Sequence, residues 1–261
     1  MSRQNYYKHR RVRHKRHVDE MFILSLVRRE RAVQPRLGSR KLLHILRSEF
    51  ELAGVYIGRD RFFSLLFREN LLIKRRAKRC CTTDSRHWFR VYGNLLKDAC
   101  LSGPSEAVVS DITYIRTDEG FMYLSLVMDS YSRAIVGYDC SDSLEAEGAL
   151  RSLSMACRQL KDCSGVIHHS DRGIQYCSAA YVRRLKRYGF RISMTEVNHC
   201  YENSKAERLN GILKGEYGLG GRFFSKSDAR RAVREAVMLY NYRRPHQALG
   251  YRCPMEVHLA A

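Results

Sequence analysis

Three acidic residues stand where a carboxylate has little reason to be unless it does chemistry. Asp111 interrupts the apolar run "VVSDITYI", Asp171 follows "GVIHHS", and Glu207 falls early in the amphipathic stretch "YENSKAERLNGILKGEYG". A charge inside an apolar strand costs free energy unless a partner or a cation compensates it. Carboxylates converging from two strands and a helix repel one another, which raises the pKa of at least one unless cations intervene. All-oxygen ligands suit Mg²⁺ or Mn²⁺. Two such ions, roughly 3.5–4 Å apart, can clamp the attacking and leaving oxygens of a phosphodiester during in-line displacement.

The elements that must position these groups begin near residue 106. "EAVVSDITYIR", "FMYLSLVMDSYSR" and "AIVGYDC" are rich in β-branched and aromatic residues and predict three strands of an antiparallel meander. A helix over about 143–161 follows, then a strand at 165–170, a helix at 178–189, a strand at 191–197 and a helix from about 204. The order βββαβαβα describes a mixed sheet with helices on its faces, a layered α/β fold. Asp171 then sits at the carboxyl end of a buried strand, where ligand sites of open α/β sheets gather, and Gly173 permits a tight turn beside it. On the last core helix Ala206, Leu209, Leu213 and Tyr217 form the buried stripe, with Glu207, Asn210 and Lys214 on a neighbouring face, where Asn210 and Lys214 are candidate DNA contacts. His168 and His169 are adjacent in a strand, so at most one points into the site. Asp129, at a strand end, reads as structural.

The amino-terminal third is different in kind. The formal charge is +20, from 47 Lys/Arg against 27 Asp/Glu. Residues 1–100 carry 25 basic and 9 acidic residues, a net +16 that leaves +4 for the rest. A field this large and this segregated favours a polyanion through counterion release, so nucleic acid is the leading partner. Helices are predicted over 17–32, 38–51 (capped by Ser39) and 59–70. Their outline fits a helix-turn-helix, with Arg59, Arg61 and Arg68 as DNA contacts, or a small helical bundle with a basic surface. Lys74, Arg75, Arg76, Lys78 and Arg79 crowd into six residues of a linker that would lie along phosphate backbone or serve as a solvated tether. A carboxy-terminal helix and an extended arm after Pro245 close the chain. The expected boundaries are 1–72 (helical region), 73–99 (basic linker), 100–225 (core) and 226–261 (tail).

Nine cysteines, an odd number with no Cys-x-x-Cys pair, read as reduced, mostly buried thiols of a cytosolic protein. "MFILSLV" is too short to cross a bilayer, and no membrane segment is expected.

Thirty-five residues separate Asp171 from Glu207. With this spacing, the words "SDITYI", "HSDRGIQY", "YENSKAERLNGILKGE" and "YNYRRPHQALGYRCP" occur in order over about residues 100–258, and together they resemble the second-reading-frame transposase of the insertion-sequence-three family, within the DDE transposases and retroviral integrases. The resemblance implies a ribonuclease H-like α/β core preceded by an all-α helix-turn-helix region. It places the metal-binding catalytic triad on Asp111, Asp171 and Glu207, and it matches Lys214 to a position that approaches the DNA end in related integrases. Asn203 and Gln175 match polar positions of the family. Val108 stands where a tryptophan is common, and no zinc module of the retroviral kind precedes the core, which favours a bacterial transposase.

What the resemblance implies is cleavage of element ends and strand transfer, with two Mg²⁺ or Mn²⁺ ions per site. The implied partners are double-stranded DNA (terminal inverted repeats and target), further copies of the chain, and an upstream reading-frame product. The expected location is the bacterial cytoplasm, on the nucleoid. A catalytically silent DNA-binding regulator derived from such an enzyme is the alternative, and a stand-alone ribonuclease H-like nuclease is a third reading.

Overall fold

The computed structural model describes residues 2–73, 89–97, 99–196 and 203–260. The chain forms two compact units, residues 1–77 and 78–261.

The first unit is all helical: α1 (Arg3–Val33), α2 (Ser39–Leu52) and α3 (Arg59–Arg68). Ile23, Leu24, Leu26 and Val27 of α1 pack with Leu42, Leu46 and Phe50 of α2 and with Phe62, Leu65 and Leu66 of α3. Apolar periodicity starts only near residue 20, so the sequence predicts a helix from His17; the structure carries it back to Arg3, where Ser2 Oγ accepts the Asn5 N–H. That added stretch is exposed and strongly basic. The cap of α2 is Gly38 rather than Ser39, which is already helical and makes no cap hydrogen bond. Asn70, with φ of 54°, ends α3 two residues after Arg68; its N–H reaches Phe67 O and the Leu71 N–H reaches Leu66 O, a Schellman closure.

The second unit is the expected mixed sheet. Strands β1 (Ala107–Thr117), β2 (Gly120–Asp129), β3 (Ile135–Ser141), β4 (Ile167–Ser170) and β5 (Arg191–Met194) lie in the order β3-β2-β1-β4-β5, and β6 (Arg222–Phe223) pairs with the far end of β1. β1, β2 and β3 are antiparallel; β4 and β5 run parallel to β1. One face packs on α4 (Ala146–Leu160), the short α5 (Ile174–Cys177) and α6 (Ala179–Arg187), through Val108, Val127, Val136, Leu153 and Tyr181. The other packs on α7 (Ser204–Glu216) and α8 (Lys226–Tyr242), through Val109, Ile115, Leu124, Leu209, Leu213 and Val233. Burial on both faces explains the nearly continuous apolar runs. α4 approaches β3 so closely that a Cβ on Gly137 would meet Ser152 O at 2.1 Å.

The tail after Pro245 is not an extended arm. A 3-10 turn (Gln247–Leu249) leads into α9 (Pro254–Leu259), where Pro254 opens the helix, Glu256 accepts the Cys253 N–H at 2.8 Å and Met255 enters the core. The cysteines among the described residues are free thiols, and no described helix is long and apolar enough to cross a membrane.

Candidate active site

The register of β1 against β4 sets the site. Ala107 to Ser110 pair with Ile167 to Ser170, so Asp111 and Asp171 are the next residues on adjacent parallel chains. Neighbouring strands lie about 4.8 Å apart. Ile112 N–H donates to Asp111 Oδ1 at 2.9 Å, and Gly173 N–H donates to Asp171 Oδ1 at 2.9 Å. Gly173 has a φ of −61°, which any residue adopts, and a Cβ there would stand 3.0 Å from Asp171 Oδ1.

Helix α7 supplies the third side. Asn203, Glu207, Asn210 and Lys214 are spaced i, i+4, i+7 and i+11, one stripe of the helix, and that stripe runs along β1. Asn203 Nδ2 donates to Ser110 O at 3.2 Å, Asn210 Nδ2 donates to Asp111 Oδ2 at 2.7 Å, and the Lys214 ammonium lies 4.4 Å from the Tyr114 ring centroid. Glu207 is in the first turn, where its backbone N–H donates to Asn203 O at 3.1 Å. A carboxylate there also complements the positive end of the helix.

Electrostatics report the same convergence. Burial pushes the Asp111 carboxyl up to about 7, with Asp171 and, more weakly, Glu207 adding to the rise against the hydrogen bonds from Ile112 and Asn210. Burial, then Tyr181, Asp111 and Asp171, lift the Tyr176 phenol well above its ordinary value. Among the described residues no three His, Cys, Asp or Glu side chains are gathered into a coordination shell. The donor chemistry nevertheless fits a hard divalent ion: carboxylate oxygens, one of them close to neutralisation, and a buried Asn210 Oδ1 that finds no donor.

The other candidates separate cleanly. The sequence assigns Asn210 to DNA; the structure turns its amide inward to Asp111, because the stripe of α7 faces β1. Both histidines are fully buried on opposite faces: His168 Nε2 lies 2.9 Å from both Ser110 Oγ and Tyr181 Oη, and His169 Nδ1 lies 2.8 Å from Ser193 Oγ. Burial holds the His168 imidazole down at about 3, hence neutral. Gln175 Nε2 donates to Leu144 O at 2.8 Å. Asp129, fully buried, accepts from Ser105 N and from Ser132 N and Oγ.

In the helical unit, Arg68 and Arg61 reach Glu20 at 2.7 and 3.8 Å, while Arg59 pairs with Asp60 at 2.8 Å. All three arginines keep half or so of their side chains exposed. Lys74, Arg75, Arg76, Lys78 and Arg79 lie outside the described residues. Sequence reasoning missed Asn203 as the tie between α7 and β1; its place four residues before Glu207 was the available signal.

Comparison with known proteins gives the same architecture a lineage. An integrase core domain family matches residues 102–200, and a second integrase core domain family matches 188–254. The transposase InsF of insertion sequence IS3A from Escherichia coli K12 is 34% identical over 246 residues, 94% of this chain and 83% of that protein. An uncharacterized 31 kDa protein of insertion element IS600 from Shigella sonnei is 35% identical over 80% of this chain and 78% of its own length. A chain of the simian T-cell lymphotropic virus intasome superposes with a TM-score of 0.53 at 16% identity, covering 85% of this chain and 70% of that one, a likeness of fold. With a sheet and helices of the integrase core and relatives aligned over most of both lengths, the chain belongs to the transposase family of the IS3-type insertion sequences.

Proposed function

We propose that this protein is a DNA transposase whose reacting centre is Asp111, Asp171 and Glu207. The observation that carries the reading is the register that sets Asp111 beside Asp171 under the α7 stripe bearing Glu207. In the first reaction, water attacks the phosphodiester at an element end; the P–O3′ bond breaks, leaving a 3′ hydroxyl and a 5′ phosphate. In the second, that hydroxyl attacks another phosphate and one ester replaces another. Asp111, Asp171 and Glu207 would hold Mg²⁺ or Mn²⁺, supplying Lewis-acid activation of the attacking and leaving oxygens.

The chain's own groups do the rest. Asn210 orients Asp111 and favours its ionised form. Asn203 fixes the start of α7 against β1, and Lys214, beside Tyr114, presents a cation to the incoming DNA end. Residues 1–72 with the basic linker 73–99 would grip terminal inverted repeats, through Arg59, Arg61, Arg68, Lys74, Arg75, Arg76, Lys78 and Arg79. Copies of the chain would pair two ends in the bacterial cytoplasm, with an upstream reading-frame product as a further partner.

The test is cleavage and joining of a labelled duplex bearing the inverted repeats that flank this gene, with Mg²⁺, comparing the native chain with Glu207→Gln. Product from the native chain alone supports the reading. Equal product from both removes Glu207 from the reaction, and specific binding without product from either identifies a DNA-binding regulator.

A further inference from the structure

The turn between β2 and β3 carries a residue out of keeping with its backbone. Arg133 has a φ of 65°, a left-handed conformation that L side chains adopt at a cost and that Gly or Asn would usually fill. The turn around it is tightly specified: Arg133 N–H donates to Asp129 O, Ser130 N–H donates to Ala107 O, and Asp129 Oδ1 accepts from Ser132. The half-buried guanidinium itself makes no hydrogen bond or ion pair among the described residues, and burial holds it below its ordinary pKa.

Two more cations face this turn from the catalytic helix. Lys205 Nζ donates to Ser130 O at 3.2 Å and to Ser130 Oγ at 2.7 Å, and Arg208 lies close enough for its charge to act on Arg133. At about 100° per residue, Lys205 and Arg208 point roughly 160° and 100° away from Glu207 around α7. Asp129 is the nearby negative charge, and its oxygens are occupied by Ser105 and Ser132. Arg133, strained and half desolvated, and Lys205 thus share one satisfied carboxylate, with the charge of Arg208 acting on Arg133. Such a cluster is unfavourable alone and favourable around an anion.

From this convergence we infer that Arg133, Lys205 and Arg208 form a phosphate-binding site separate from the carboxylates, and that its occupant is a backbone phosphate of the duplex being processed. This rests on the DNA-processing reading above. Ala107, which anchors the turn, is four residues from Asp111 along β1, about 13 Å. A phosphate held at this turn would keep the strand at an offset from the bond being cut, so the site would set register rather than perform chemistry.

The experiment is salt-dependent binding of the full chain to a labelled duplex carrying the element end, followed by fluorescence anisotropy with Mg²⁺ omitted. The variants are Arg133→Gly, Arg133→Lys and Lys205→Gln. Because glycine suits the backbone, Arg133→Gly should melt at the same or a higher temperature yet bind about three- to tenfold more weakly, with the slope of log Kd against log salt reduced by about 1. Lys205→Gln should lower the slope similarly, and Arg133→Lys should keep it. Unchanged Kd and slope in both Arg133→Gly and Lys205→Gln overturn the site while leaving the transposase reading intact. A native chain that shows no salt-dependent duplex binding overturns both.

Discussion

Asn210 Nδ2 donates to Asp111 Oδ2 across 2.7 Å, joining the helix that carries Glu207 to the strand that carries Asp111. With the bond from Asn203 to Ser110 O, it ties together the two elements that the proposed reaction needs. Asn210→Ala removes it and leaves a half-buried carboxylate with one fewer donor. The expected outcome is a fall in strand cleavage of about 10- to 100-fold, with duplex binding little changed, as for other groups that orient metal ligands. Asn210→Asp should be worse still, since it adds a fourth negative charge. Cleavage rates and binding isotherms measured side by side check both; equal loss of binding would make Asn210 a DNA contact instead.

Asp111 gives the protein a pH signature. Its folded pKa, about 7, lies above the ordinary carboxylate value of 3.8, so the native state holds a proton the unfolded chain has released. Stability without divalent ions should therefore fall as pH rises from about 4 to about 7, by an amount of order 3 kcal/mol from this group. Asp111→Asn should flatten that part of the profile and stabilise the protein at neutral pH. Added Mg²⁺ should raise the melting temperature more at pH 8 than at pH 6, because on the proposed reading the ion binds the ionised carboxylate. Urea titrations across pH, with and without Mg²⁺, measure both effects.

Glu20 binds the helical unit together. Burial alone would raise its pKa, but hydrogen bonds from Arg68 and Arg16 outweigh that and hold it below the ordinary value. Glu20→Gln keeps the shape and removes the charge, leaving Arg16, Arg61 and Arg68 to repel one another. A loss of about 1–2 kcal/mol in the stability of this unit is expected, read by hydrogen exchange of α1 and α3 amides. No change would mean that the apolar contacts of the three helices suffice.

Gly137 tests the packing of the core. An added Cβ would press on the backbone of α4 at Ser152, where no side chain can swing away. Gly137→Ala should cost about 2–3 kcal/mol and lower the chemical denaturation midpoint, with the slope unchanged. A neutral substitution would show that α4 can slide on β3.

The carboxylates, their spacing and the order of elements along the chain were legible in the sequence because each rests on local pattern. An acid within an apolar strand, an amphipathic helix thirty-five residues beyond the second acid, and a meander of β-branched runs are all readable over short windows. The first half of α1 was not, since a polar basic helix carries no apolar period. The same holds for α9: Pro245 reads as a break, yet Met255 finds a place in the core only once the sheet exists.

The pairing of β1 with β4 was decided by tertiary structure alone. Sequence fixes that Asp111 is in a strand and Asn210 on a helix face, but the parallel register of β1 and β4 is what sets Asp111 beside Asp171. The packing of α7 along β1 is what sends Asn210 to Asp111 rather than to solvent or DNA. It also brings Lys205 onto the turn of Arg133, seventy-odd residues away in the chain. Propensity and periodicity act over a few residues, whereas contacts between distant segments are selected by burial of whole faces, and only the folded chain specifies which faces meet.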